Sequence, residues 1–272
     1  MTPIVRAIIL LFIGVGLQLL LGLAVLPALF KASGGTVATL TIIGVAFAGV
    51  FGFVAGLKQV YAMSPRGIWS FVIDVTWSAI NTATGLVFLI YCVAKGSYVA
   101  PTEDAQTRGI IHFADAALGG ADATTIGTVM GGKWLVHETV HVQQARIFGP
   151  FYWPTYLASY LLNMLARFLT ARFDDPHWQA YARVLMEDWA YRAAPGGEVK
   201  IFQSIVWFLL TLVNALSLGV LVSHVPVLGA IPALIGLTAL PWWMGLLVLL
   251  VYALGRSYLP KANEPAAQVV FT

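Results

Sequence analysis

No charged side chain lies between Arg6 and Lys31, and none lies between Lys31 and Lys58. A run of about 20 apolar residues without charge is what crossing a bilayer core of roughly 30 Å demands. A chain that carries such runs has lipid as part of its solvent. Composition agrees: 59% of the 272 residues are apolar and 10% are charged. Soluble domains usually have about 25% charged residues.

Five segments are long and apolar enough to be read as spans: Ile8–Phe30, Val37–Val60, Ile68–Val93, Ile201–Val222 and Ile231–Leu254. The first is too long for the apolar core of a cleaved signal peptide. The short connection Ser223–Ala230, with His224 in it, makes the last two a helical hairpin. The expectation is an all-α membrane protein with about five transmembrane helices. Three lie in residues 1–95 and two in residues 201–255, and residues 256–272 form a tail.

Residues 96–200 differ in kind and read as a separate, membrane-apposed domain. Lys95–Arg108 is polar and reads as a linker. Gly109–Phe113 and Thr124–Val129 are β-prone and flank Gly119-Gly120-Ala121-Asp122, the pattern of a small β-hairpin. Lys133–Phe148 reads as a helix ended by Gly149-Pro150. Thr155–Phe173 reads as a helix that lies in the interface or is buried, interrupted by Asn163, Arg167 and Arg172. Asp174-Asp175-Pro176 is a helix start, Asp175 as N-cap, for a third helix running to about Ala193. The aromatics Phe151, Tyr152, Trp153, Tyr156 and Tyr160 suit either a membrane boundary or an aromatic core.

The formal net charge of +3 comes without a Lys/Arg run, so nucleic acid is not an expected partner. The single cysteine, Cys92, cannot form an internal disulfide. Basic residues counted over all connections favour an external N-terminus and a cytoplasmic polar domain. The flanks of the first span alone favour the reverse. The expected location is a multi-pass protein of a bacterial inner membrane.

The chemistry is concentrated in His137-Glu138-Thr139-Val140-His141. Residues four apart share a helix face, so both imidazoles can reach one ion, and Glu138 lies beside them to accept a proton from a metal-bound water. The alternative is a solvated helix with three polar residues. Trp134, Leu135, Val136, Val140 and Val142 argue against it, since they make the helix half-buried.

Catalytic zinc takes three protein ligands and one open position. Candidates for the third are Glu187, Asp188, His177 and His112. Glu187 is preferred, because an isolated carboxylate amid Leu185, Met186 and Trp189 would be costly. The competing reading of Glu187 is an ion pair with Arg183 or Arg192. In the third apolar segment, Asp74, Trp77, Ser78, Asn81 and Gly85 recur at helical spacing. Asp74 and Asn81 there either wall a path to the metal or bond across to span one or five.

His137-Glu138-x-x-His141 followed by Glu187-x-x-Ala190-Tyr191-Arg192 resembles the gluzincin metallopeptidases, in particular the membrane-embedded CAAX prenyl proteases and bacterial heat-shock membrane proteases. The longer pattern with Gln144, Phe148-Gly149-Pro150 and Tyr152 also resembles bacterial HExxHxxQ membrane proteins of uncharacterised function. The likeness covers about Thr124–Ala194. It implies Zn2+ held by His137, His141 and Glu187, with Glu138 as the catalytic base. The implied substrate is a membrane-proximal peptide. Alternatives are an enzyme acting on a lipid or other amphiphile, a metal-binding protein without turnover, and a transporter. Tyr191 stands where that group has an Asp that orients the ligands, so Gln144 or Asp188 is expected to take that role. In soluble gluzincins a strand edge beside the metal pairs with the peptide, and Thr124–Val129 is either the counterpart of that edge or part of a plain structural hairpin.

Overall fold

The computed structural model describes residues 1–27, 34–169, 180–182, 184–193 and 241. These fall into two compact units, Met1–Pro150 and a second beginning at Phe151. The described structure is mainly helical, with one small sheet.

In the first unit, α1 (Pro3–Leu20) continues through a π-helical turn (Leu21–Val25), and α2 (Gly34–Leu57) follows. Pro3–Val25 and Gly34–Leu57 are each long and apolar enough to cross a membrane. Small residues bring their backbones together. A Cβ at Gly14 would sit 2.8 Å from the Ala48 carbonyl oxygen, and one at Gly52 would sit 2.7 Å from that of Leu10. Close approach of this kind is how helices associate where no hydrophobic force separates side chain from solvent. Phe12, Leu23, Ile42, Ile43 and Val50 point outward, as lipid-facing residues do.

The third expected span is not one straight helix. α3 (Pro65–Val75) and α4 (Ala79–Lys95) meet at 88°, so among the described residues there are two candidate spans, or three if the bent pair counts as one. Ser64 caps α3 through its side chain, and Pro65 occupies its first turn. Thr76 then leaves helical geometry (φ −121°, ψ −89°). The expected spans over 201–222 and 231–254 lie outside the described residues.

The polar region is more structured than a linker and a hairpin. It holds β1 (Ser97–Tyr98), α5 (Glu103–Arg108), β2 (Ile111–Ala114), β3 (Ala123–Ile126) and β4 (Val129–Gly132). The sheet order is β1-β2-β4-β3. The expected hairpin partners do not pair with each other: β2 runs parallel to β4, with Ile111 opposite Val129, and the hairpin is β3–β4. Gly127, at φ +59°, turns the chain inside the expected strand 124–129. A side chain there would strike the Asn81 carbonyl, so the tight turn needs glycine for two reasons. Every residue of β4 is buried, as suits a central strand. One apolar core joins Leu10, Ala48 and Phe51 to Phe71, Val75 and Phe88, and these to Ile111, Phe113 and Val129.

α6 (Val136–Phe148) closes the unit and packs beside β3, the edge strand. Glu138 in its first turn and Arg146 in its last complement the helix dipole. Gly149 ends it at φ +53°, where a Cβ would strike the Trp77 indole.

In the second unit, α7 (Tyr152–Leu169) and α8 (Leu185–Ala193) are joined by hydrogen bonds. The Leu185 amide donates to Ser159 Oγ at 3.2 Å, and Asn163 Nδ2 donates to the Ala180 carbonyl at 3.0 Å. Asn163, a polar interruption in the sequence, is buried and spends its amide on this junction. The expected helix start at 174–176 lies outside the described residues.

Candidate metal centre

α6 turns His137 and His141 to the same side, and their Nε2 atoms stand 3.0 Å apart. Two nitrogens bound at about 2.05 Å to one tetrahedral ion would be roughly 3.3 Å apart. The pair is therefore almost at ligand spacing. Both rings are buried, at 6% exposure. His141 Nδ1 lies 2.9 Å from the Gln144 side-chain oxygen. That oxygen only accepts, so Nδ1 carries the proton and Nε2 keeps its lone pair for an ion. Gln144 lies one helical turn from the His141 ring that it contacts.

Glu187, on α8, is 2% exposed. Its Oε1 accepts a hydrogen bond from the Tyr156 hydroxyl at 2.8 Å. Burial, and next the Glu187 charge, push the Tyr156 pKa far up, so the hydroxyl stays a donor. Sequence reading placed Tyr156 only in an aromatic cluster. The signal that could have found it is its place on the helix preceding the Glu187 helix, three residues from Ser159, which also bonds to α8.

His137, His141 and Glu187 form a buried group able to hold a metal ion, with one candidate ligand atom of each within 4.8 Å of the others. A carboxylate and two imidazole nitrogens are the donor set that zinc and several other divalent ions accept. Among the described residues the group has three members. Asp188 and Tyr191 are buried on the same helix and are not in it. His112 is used elsewhere: its Nε2 is 2.7 Å from the Gly132 carbonyl oxygen, and its ring lies against Trp134. His177 lies outside the described residues, as do the side chains of Arg183 and Arg192.

Glu138 is largely buried, and among the described residues no hydrogen bond or ion pair engages its carboxylate.

Among the described residues, the hydrogen bonds of Asp74 and Asn81 run to α6 and its flanks rather than to the first two spans. They hold the far end of α6. The Arg146 guanidinium grips Asp74 with two nitrogens, Nε to Oδ1 at 2.8 Å and Nη2 to Oδ2 at 2.6 Å. Tyr61 donates to Oδ2 at 2.7 Å, and Arg146 Nη1 donates to the Arg108 carbonyl at 2.6 Å. Burial works to lower the Arg146 pKa, but Asp74 and Tyr61 together outweigh it and the net shift is upward. Burial, then the Asp74 charge, raises the Tyr61 pKa well above 10.0. Asn81 Nδ2 donates to the carbonyls of Ala145 (3.0 Å) and Gly149 (2.7 Å), Ser78 Oγ to Ala145 (3.0 Å), and Trp77 Nε1 to Ile147 (3.2 Å). These carbonyls lie in the last turn and at the stop of α6, where a helix runs out of amide donors, and Ala145 accepts from the Gly149 amide as well. The break between α3 and α4 brings all three donors to them, which accounts for the bend.

Comparison with protein-family models, with curated protein sequences and with solved structures finds no match to this chain.

Proposed function

We propose that this protein is a membrane-anchored zinc hydrolase of the gluzincin kind, a metallopeptidase cleaving a membrane-proximal peptide. The observation that carries the reading is the buried group of His137, His141 and Glu187 with the two Nε2 atoms already converged. Three protein ligands leave the open position that a catalytic zinc needs for water. When bound there, zinc lowers the pKa of that water and polarises the substrate carbonyl. Glu138 takes the water's proton and returns it to the leaving group. Gln144 sets the His141 tautomer. Among the described residues no strand pairs with the outer side of β3, which lies next to α6, and such an edge is where a peptide would pair. The N-terminal helix pair, with the apolar sequence over 201–222 and 231–254, supports a multi-pass location. The residue counts favour a cytoplasmic site.

A second reading is an enzyme acting on a lipid or other amphiphile. Its support is the exposed apolar pair Val136 and Ile147 on α6, the helix that carries the histidines. Such side chains suit acyl chains better than water.

The test is zinc content and turnover in purified protein. Wild type is expected to hold one zinc per chain and His141→Ala to lose it. Glu138→Gln is expected to keep zinc and to cleave a quenched-fluorescence peptide library about 10²–10⁴-fold more slowly. Equal zinc in wild type and His141→Ala rejects the site. Full turnover in Glu138→Gln rejects the base. Release of fatty acid from phospholipid vesicles without peptide cleavage selects the second reading.

A further inference from the structure

We propose that Tyr156 is a positioning residue that makes Glu187 a one-oxygen ligand. This rests on the metal-site reading above. It goes beyond the sequence expectation, in which Gln144 or Asp188 replaces the orienting Asp that Tyr191 displaces.

A carboxylate offers a metal either one oxygen or both. The choice sets the coordination number, and so whether a position stays open for water. An ionised carboxylate only accepts hydrogen bonds, so the Tyr156 hydroxyl must be the donor in the 2.8 Å contact with Glu187 Oε1. A bond of a hydroxyl to a charged oxygen is among the stronger ones. It holds Oε1 in one direction and fixes the plane of the carboxylate. Two-oxygen binding would draw on that same oxygen and compete with the Tyr156 bond.

The anchor itself is stiff. Tyr156 lies one turn before Ser159 on α7, and Ser159 Oγ receives the Leu185 amide at the start of α8. α7 and α8 are therefore pinned two residues before Glu187. Tyr152, Trp153 and Tyr156 pack ring against ring, with centroids 5.4–6.1 Å apart. A tyrosine ring so packed has little rotational freedom, so its hydroxyl is presented in place before any ion arrives. The division of labour is symmetrical: Gln144 orients an imidazole on α6, and Tyr156 orients the carboxylate on α8.

The experiment uses full-length protein in detergent, loaded with Co2+ in place of Zn2+. Tyr156→Phe keeps the ring and removes the donor. Its metal affinity is expected to fall 10–100-fold, the usual effect of removing a partner of a ligand. The visible Co2+ band is expected to lose intensity as four-coordination gives way to five. Ser159→Ala loosens the same helix pair without touching the carboxylate, and should leave the band unchanged. An unaltered band and affinity in Tyr156→Phe overturns the proposal. So does a band change in Ser159→Ala as large as in Tyr156→Phe, since the effect would then be packing alone. The infrared difference spectrum of wild type on Zn2+ binding needs no variant. One-oxygen binding widens the gap between the two carboxylate stretches, and a narrowed gap overturns the proposal. Retention of metal by His141→Ala overturns instead the metal-site reading on which all of this stands.

Discussion

Arg146, in the last turn of the histidine-bearing helix, forks onto Asp74, 72 residues earlier, with both of its contacts under 3 Å. Asp74 is wholly buried. Through this one pair, the helix that presents His137 and His141 is clamped to the end of α3. Two charges removed from water return little net stability while both are present, but removing one strands the other. Asp74→Ala is therefore expected to destabilise the first unit by about 3–5 kcal/mol. Asp74→Leu combined with Arg146→Met should recover much of that. Thermal melts in detergent read both. A single variant as stable as wild type would show that the clamp does not matter.

The donors at the α3–α4 bend should differ in weight. Asn81 serves two carbonyls of α6 and Ser78 serves one. A buried carbonyl left unpaired costs about 1–3 kcal/mol. Asn81→Ala, which strips the Gly149 carbonyl of this donor, is expected to cost more than Ser78→Ala, which leaves Ala145 the Asn81 amide and the Gly149 N–H, by chemical denaturation. Equal losses would mean that water replaces the lost donor.

Gln144→Leu tests the tautomer argument. Without an acceptor at Nδ1, the His141 proton is no longer held there, and zinc affinity is expected to fall about 10–100-fold. Competition with a chelator of known affinity measures it. Melts of the metal-free protein read the fold separately, since leucine fills a similar volume but leaves the His141 Nδ1–H without its acceptor.

Alkaline stability carries a sign. The folded state holds the Tyr61 proton to a pH well above 10.0, the value of an exposed tyrosine. The stabilisation from this group is complete below pH 10 and is lost as pH rises towards the folded pKa, because only the unfolded chain releases the proton there. The loss approaches about 1.4 kcal/mol per pH unit for one group. Melts between pH 9 and 11 should fall less steeply in Tyr61→Phe, although that variant starts lower for want of the bond to Asp74. Parallel slopes would contradict the burial of the hydroxyl.

Two glycines of the membrane helices separate packing from propensity. A Cβ at Gly52 meets the Leu10 backbone, whereas one at Gly16 meets nothing within 4 Å. Gly52→Val is expected to cost at least about 1–3 kcal/mol by overpacking. Gly16→Ala should be neutral or slightly stabilising. The same melts decide, and a benign Gly52→Val would mean that the helices part at little cost.

The sequence by itself was enough for whatever depends on neighbours along the chain. The two N-terminal apolar helices, the helix over Lys133–Phe148 with its stop at Gly149, and the shared face of His137 and His141 all follow from helical periodicity and the backbone freedom of glycine. Gln144 was legible for the same reason, being one turn from His141. Glu187 was legible from cost, since a carboxylate in an apolar helix needs a partner. What the sequence misplaced depends on partners far along the chain. Asp74, Ser78 and Asn81 keep helical spacing, yet the helix breaks among them, where the carbonyls at the end of α6 and the Arg146 guanidinium take their side chains as partners. β4 pairs in parallel with β2 through residues that local pattern assigned to a hairpin turned elsewhere. Tyr156 showed only an aromatic ring, and its hydroxyl gained a role from Glu187, 31 residues away. Periodicity encodes which face a side chain takes. Which group waits opposite that face is decided by packing, where buried charges and donors must all find partners at once.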